Sequence, residues 1–479
     1  MIISHFQKKN TVLILFIILS AFFVSLVWNN NVWMDEAFTA SLVNTDLAGV
    51  LGRSMADTLP PLYNIILKLA TAVFGYKIPV MKLTSVVPMI GTLAIGATTV
   101  RRRWKERTAV LFMLFVTFMP LMLYYGVEIR MYSLGFFFAT GSAVYAYEAV
   151  ADGSKKSWAI FTLLSVLAGY SHHFAFVAAG FSYLFILLYF LIFHRERIRE
   201  WLLCLAATFV LYLPCLIVTL KQLSRVSGYF SMPDIDAAMF IQYAVYPYTV
   251  GITPASALCC LAMAAAVALF VLSLRDRDNR GEKMMYPLFV FATYYGVLLF
   301  GTIVSKIMTA NIFVDRYLFF STGILWLFAA IVLGRSDNRV YICTIAVTVI
   351  IGACTYGLEI RTEYANTADE EIAFLRENVS EGDIYYSIGG HEEMQNCIPF
   401  YTYIEKDTPD LTFEPSLETA IDMSDETGST LWISVLDGYK PSEEDLALLS
   451  DRGLSMVKAA DFEFDRYKCE MYKVTRDGL

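Results

Sequence analysis

The chain is poor in charge. Asp, Glu, Lys and Arg make up 17% of its 479 residues, against about a quarter in an ordinary soluble domain, and that excludes a wholly soluble enzyme. Its 14 prolines and 27 glycines are too few for a collagen-like or low-complexity chain. The eight cysteines include no C-x-x-C pair, which closes the zinc-ribbon and thioredoxin readings. Six of them (Cys204, Cys215, Cys259, Cys260, Cys343, Cys354) lie in apolar stretches and read as small buried hydrophobes. Cys397 and Cys469 are left, and they are available to pair if the segment that holds them lies outside the cell. What is abundant is apolar surface: 57% of residues are hydrophobic and the mean hydropathy is +0.53. The composition is that of a polytopic membrane protein.

A seam near residue 358 divides the sequence. Residues 358–479 hold 28 acidic against 10 basic residues, a net charge of −18, whereas residues 1–357 hold 17 acidic and 27 basic, a net of +10. The reading is a membrane domain over 1–357 and an acidic domain over 358–479. The acidic tail would repel a phosphate backbone, so nucleic acid is not an expected partner.

Apolar runs able to cross about 30 Å of hydrocarbon occur near 11–28, 79–100, 108–125, 131–150, 158–173, 174–193, 201–219, 253–274, 285–305, 314–334 and 340–357. Eleven spans from a cytoplasmic N-terminus place the basic clusters Arg101–Arg103 with Lys105 and Arg107, Lys155-Lys156, Arg195/Arg197/Arg199, Arg275/Arg277/Arg280/Lys283 and Arg335/Arg339 all inside. The first run lacks a small-x-small cleavage site and reads as a retained helix. The stretch 62–75 is too short to span and is bracketed by Pro60-Pro61 and Pro79, so it reads as a short helix in or re-entering the outer interface. The tail lies outside on this parity. Its pattern predicts helices near 367–378, 415–422 and 442–450, with strands over 383–387, 431–435, 454–460 and 467–474. His391-Glu392-Glu393 in it reads as a solvated cluster.

The same parity collects ionisable residues on the outer face: Asp35 and Glu36, Asp57, Glu128 and Arg130, His172 and His173, then Lys306, Asp315 and Arg316. Such groups at the ends of apolar helices are costly unless paired or used. Singly each has a plain structural reading: a solvated pair, a local ion pair, a snorkelling arginine, or belt tyrosines at Tyr124, Tyr125, Tyr132 and Tyr317. Together they supply bases, metal ligands and a cationic clamp for an anion. The outer loop 220–252 adds Tyr229, Phe230, Tyr243, Tyr246 and Tyr248, suited to stacking on a sugar or isoprenoid, or to an interfacial belt.

Four stretches occur in order: Val32-Trp33-Met34-Asp35-Glu36, Asp57-Thr58-Leu59-Pro60-Pro61-Leu62-Tyr63, Glu128-Ile129-Arg130-Met131-Tyr132 and Tyr170-Ser171-His172-His173-Phe174. They resemble the stations of the GT-C membrane glycosyltransferases that use polyprenyl-phosphate sugars, in the branch of bacterial aminoarabinose transferases, protein O-mannosyltransferases and rhizobial lipopolysaccharide sugar transferases. Asp315-Arg316-Tyr317 adds a weaker match, and the resemblance covers roughly residues 10–335. Two departures stand out: Leu59 replaces the His or Lys of many relatives, and His173 replaces an aromatic residue.

The resemblance implies a fold and an activity. The fold is a polytopic α-helical membrane protein of about 11 transmembrane helices, GT-C-like, with a C-terminal extracytoplasmic small α/β domain. It sits in the bacterial cytoplasmic (inner) membrane with the active site outside. The activity moves a sugar from a polyprenyl-phosphate donor to an extracytoplasmic acceptor, with inversion. Asp35 is then the base and Glu36 its orienting neighbour. Arg316, followed by Arg130 and Lys306, holds the leaving phosphate, and Asp57, Tyr63, Glu128, Tyr132 and His172 bind substrate. Asp57, Glu128 and His172 are also the candidate ligands for one divalent cation, Mg or Mn. A lipid or solute transporter is the main alternative, but it would carry its polar groups near the midplane, often in repeated halves. A sensor would need neither eleven spans nor this outer inventory.

Overall fold

The computed structural model of the chain describes residues 2–29, 32–229, 235–249, 253–274, 281–308, 311–359, 361, 369–388, 412–413, 416–436, 439–464 and 467–476. Phe230, Arg275, Arg277, Arg280, His391-Glu392-Glu393 and Cys397, and with it the Cys397–Cys469 pairing, lie outside the described residues, as does the side chain of Tyr229.

In chain order the helices are α1 (Ile2–Ser25), α2 (Met34–Val43), α3 (Leu47–Ala56), α4 (Leu62–Phe74), α5 (Ile78–Ile95), α6 (Arg101–Phe118), α7 (Met122–Val127), α8 (Tyr132–Asp152), α9 (Lys155–Ser171), α10 (His173–Phe193), α11 (Ile198–Tyr229), α12 (Ala237–Val245), α13 (Thr253–Ser273), α14 (Glu282–Ile307), α15 (Phe319–Leu333) and α16 (Asn338–Glu359). The chain divides into two compact units. The first holds Met1–Val27, Asp46–Ala70 and Lys82–Leu358; the second holds Trp28–Thr45, Thr71–Met81 and Glu359–Leu479.

The first unit is a helical bundle with an apolar exterior. Leu13, Ile14, Ile17 and Ile18 of α1 are each more than half exposed, as are Leu202, Leu203, Phe209 and Val210 of α11. Only a hydrocarbon solvent makes such a surface favourable. At the centre, every residue of α15 except Val332 is buried. Gly323 lets it pack closely on α8, since a Cβ there would sit 2.3 Å from Thr140 Oγ1 and 2.7 Å from the Phe136 ring.

Among the described residues, eight helices are long and apolar enough to cross a membrane: Thr11–Trp28, Ile78–Phe118, His173–Phe193, Arg195–Gln222, Pro254–Ser273, Glu282–Ile307, Asp315–Leu333 and Asn338–Leu358. The count falls below the eleven expected for physical reasons. Ile78–Phe118 is one continuous helical run holding two expected spans, broken inside by Lys105 at φ 73°. α8 is buried along most of its length and carries small and polar residues rather than lipid-facing ones. α9 is 17 residues long. The 62–75 stretch is the short apolar helix expected, α4, and Gly75 at φ 96° follows its last residue.

The basic turns of this unit share one end. Arg102 and Arg103 bind Glu148 in α8 at 2.6 and 2.5 Å, and Arg103 lies 3.4 Å from Asp152. Arg107 donates to Ser336 O at 3.1 Å and Asn338 Oδ1 at 3.0 Å, reaching the α15–α16 turn. Arg197 donates to Val150 O at 2.7 Å, while Tyr189 and His194 both meet Glu282 at the start of α14. One network therefore ties the α5–α6, α8–α9, α10–α11, α13–α14 and α15–α16 turns together. The alternate turns, α6–α8, α9–α10 and α14–α15, belong to the opposite end.

Two local expectations need correction. The loop 220–252 is largely helical: α11 continues to Tyr229, and α12 leads into a 3-10 turn at Tyr246–Tyr248. Cys204, Cys215 and Cys259 are buried as expected, but Cys260 and Cys343 are exposed on apolar helix faces.

In the second unit the tail forms α17 (Asp369–Asn378), β1 (Ile384–Ile388), β2 (Thr412–Phe413), α18 (Leu417–Thr427), β3 (Leu431–Leu436), α19 (Glu443–Asp451), β4 (Leu454–Phe464) and β5 (Tyr467–Arg476). The sheet order is β2-β1-β3-β5-β4. β1 runs parallel to β2 and β3, and β5 antiparallel to β3 and β4. The parallel β1–β3 pair needs a crossover, which includes α18; its Leu417, Ala420 and Ile421 pack on Ile384, Ile433 and Val435. All seven expected tail elements start within two residues of their expected positions, while the two-residue β2 is additional.

Candidate active site

At the end of the bundle opposite the basic turns, α7 and α8 are joined by Glu128–Met131, α9 and α10 by His172 alone, and α14 and α15 by a segment that closes with the 3-10 turn Asp315–Leu318. These junctions bring together four of the expected residues. Glu128 is 3% exposed, Arg130 9% and His172 1%, and Arg316 is half-buried. The junction at Glu128 is tight: Arg130 N donates to Glu128 O at 2.6 Å.

The His172 ring fixes its own chemistry. As the N-cap of α10 its Nδ1 accepts the Phe174 N–H at 3.1 Å. The proton of the neutral ring therefore sits on Nε2, which is buried with no partner among the described residues. Burial above all, then His173 and the Arg130 and Arg316 charges, holds this imidazole well below its usual range, so it is neutral. His172 thus presents one buried N–H donor beside two guanidinium groups.

Rings form the floor. His172 stacks on Phe320 with centroids 4.4 Å apart and lies 4.6 Å from Tyr317. Phe320 stacks on Tyr132 at 5.9 Å, and Tyr132 meets Tyr125 at 4.8 Å. Gly135 makes room for this stack, since a Cβ there would lie 2.6 Å from the Phe320 ring. At the far end of the row, the Tyr125 hydroxyl bonds that of Tyr246 at 2.7 Å, and Glu128 and Asp315 both act on it electrostatically. The site is polarised, with guanidinium groups towards His172 and carboxylates towards Tyr125.

Tyr63 and Asp57 approach from α4 and the turn before it. Tyr63 is 2% exposed, and its hydroxyl bonds Ser85 Oγ at 2.7 Å, which donates to Glu128 O at 2.5 Å. Asp57 ends α3, and its Oδ1 accepts the Thr58 N–H at 2.6 Å. Lys306, in the last turn of α14, is exposed, as a snorkelling lysine would be. Asp35 and Glu36 lie in the first turn of α2, in the second unit. There Glu36 Oε2 accepts the Trp33 N–H at 3.1 Å, which caps the helix start.

Among the described residues, no group of three His, Cys, Asp or Glu side chains is placed to hold a metal ion. Asp57, Glu128 and His172 are not gathered into a ligand set. His172 is further unsuited because its one lone pair is taken by Phe174 N–H.

Ser85, bonded to Tyr63 and Glu128, and Gln222, bonded to Ser54 and Leu59, were not among the expected residues, nor was the buried Lys82. Lys82 is 1% exposed within the apolar run of α5; an ionisable residue inside such a run was a readable signal. Ser85 and Gln222 carried none.

Residues 58–218 match the family model of the dolichyl-phosphate-mannose-protein mannosyltransferases, about a third of the chain. Among solved structures, ArnT from Cupriavidus metallidurans bound to undecaprenyl phosphate superposes with a TM-score of 0.64 at 11% identity, over 98% of this chain and 98% of that one. Its apo state gives 0.60 at 11% identity, over 98% and 97%. The chain therefore shares the ArnT fold. A search of curated proteins finds no match. The superposition runs through nearly the whole chain.

Proposed function

We propose that the protein is an integral-membrane GT-C glycosyltransferase that moves a sugar from a polyprenyl-phosphate donor to an acceptor hydroxyl. The observation that carries this reading is the buried, polarised group of Glu128, Arg130, His172 and Arg316 at one end of a GT-C bundle. A lipid phosphate leaving from the anomeric carbon gains charge as the bond breaks. Arg316 and Arg130 are suited to receive it, since guanidinium matches phosphate in a two-pronged way, and the His172 Nε2–H adds a neutral donor. Glu128, Asp315 and the tyrosine hydroxyls suit the sugar's own hydroxyls. Asp57 and Tyr63 flank the acceptor side.

The attacking hydroxyl needs a base. We assign Asp35, the first-loop aspartate of the family resemblance, and read Glu36 as fixing the helix turn that carries it. No step is routed through a metal. The orientation we infer has eleven passes, the two halves of Ile78–Phe118 counted separately and α8 and α9 included. It puts the N-terminus and basic turns in the cytoplasm and the site and tail domain outside, in a bacterial inner membrane, as the distribution of Lys and Arg favours.

The test is transfer of label. Purified protein in detergent, given radiolabelled undecaprenyl-phosphate sugars and a membrane extract, is expected to move label from lipid to product. No transfer with any donor, together with movement of lipid or solute across reconstituted vesicles, would replace the transferase by the transporter.

A further inference from the structure

α3 cannot continue past Ala56. Pro60 and Pro61 have no N–H, so they cannot bond the carbonyls of Ala56 and Asp57 in helical fashion. The Thr58 N–H, which in a helix would reach Ser54 O, is instead taken by Asp57 Oδ1 at 2.6 Å. The carbonyls exposed by this break are held from two other helices. Gln222 Nε2, on α11, donates to Ser54 O at 3.3 Å and to Leu59 O at 3.0 Å. His173 Nε2, on α10, donates to Thr58 O at 3.3 Å.

Gln222 is 2% exposed and is the last residue of an apolar stretch that begins at Arg195. A primary amide buried there is unfavourable unless bonded, and an apolar side chain would fill the same space. Its bonds run to the two sides of Asp57. His173 holds the carbonyl between them and follows His172 directly, their rings 6.2 Å apart. The Asp57 turn is thereby tied to the start of α10, next to His172.

We propose that Gln222 is a positioning residue for the transfer reaction: by gripping Ser54 and Leu59 it sets Asp57 against the His172–Arg130–Arg316 group. The proposal rests on the transferase reading and on Asp57 taking part in it. A loosened turn would misplace Asp57 by a fraction of an ångström to an ångström, a displacement that costs roughly 10- to 100-fold in rate.

The experiment uses full-length protein in nanodiscs and compares wild type, Gln222→Met, Asp57→Asn and the double variant. Turnover is measured alongside hydrogen exchange of the peptide covering residues 54–59. Gln222→Met is expected to lower kcat about tenfold or more, to leave donor KM within about threefold, and to speed exchange in that peptide. Added to Asp57→Asn it should cost nothing further, because it acts through Asp57. Unchanged exchange, or losses that multiply in the double variant, overturns the proposal. If Gln222→Met fails to insert, Gln222→Asn, too short to reach both carbonyls, takes its place with the same expectations. If wild type transfers nothing, the transferase reading falls and the proposal with it, and the exchange data separately report whether the grip on the turn is real.

Discussion

Replacing His172 by phenylalanine separates the two tasks of its ring. Phenylalanine keeps the stack on Phe320 and Tyr317, at 4.4 and 4.6 Å in the native ring, but has neither the Nδ1 acceptor nor the Nε2–H. Loss of the bond from Phe174 N removes a helix cap worth about 1 kcal/mol of stability. Loss of the Nε2–H removes a donor that has no partner among the described residues. A hydrogen bond from it to an anionic oxygen is worth about 1.5–3 kcal/mol, or roughly 10- to 150-fold in kcat/KM for the donor. His172→Asn is the complement: asparagine keeps the cap but loses both the ring stack and the Nε2–H, so donor use falls as in His172→Phe while the stability loss reports the stack rather than the cap. Kinetics with varied labelled donor, beside thermal melts in detergent, read both. A His172→Phe enzyme whose kcat/KM stays within about twofold of wild type would refute the donor role.

The same ring predicts a pH dependence with a definite sign. Its folded-state affinity for protons is depressed, so the unfolded chain binds more protons below about pH 6.5, the ordinary histidine value. The neutral ring's contribution is full above that pH and is lost as pH falls below it, by at most about 1.4 kcal/mol per unit. Melting of wild type should therefore drop more than that of His172→Phe between pH 7 and 5.5, and equal drops would contradict the buried neutral ring. Arg316→Ala should raise donor KM at least about tenfold, since a charge-assisted bidentate contact is lost; unchanged donor dependence would remove Arg316 from the site. At the other end of the bundle, Glu148→Gln leaves two arginines with a weakened partner. Glu148 is fully buried but Arg102 and Arg103 are 62% and 25% exposed, so the loss is about 2 kcal/mol rather than the larger cost of a wholly buried pair. The melting midpoint should fall by several degrees, with turnover of the folded fraction retained; an unaltered melt would mean the network ties nothing together.

The fold was legible where composition changes abruptly. The charge seam near residue 358 anticipates a separate α/β sheet, because its strands and helices alternate at the periods that burial demands. The positions of Arg102, Arg107 and Arg197 anticipate the shared end of the basic turns, because like-signed turns must lie on one side of a bilayer. The surroundings of a span were not legible: 131–150 reads as an ordinary apolar run, but α8 is packed among other helices and buried along most of its length. In the site, Glu128, Arg130, His172 and Arg316 were visible as ionisable residues at helix ends. The capture of His172 Nδ1 by a backbone N–H two residues on is a detail no sequence carries. Gln222 was invisible because its partners are carbonyls, which every residue has.

The fate of the anomeric carbon tests the proposed transfer most directly. Wild type and Asp35→Asn, matched for insertion and melting, should be given one labelled polyprenyl-phosphate sugar, and the product linkage read by NMR. The account predicts inverted product from wild type and none from Asp35→Asn. Retained configuration, or full turnover by Asp35→Asn, would contradict it.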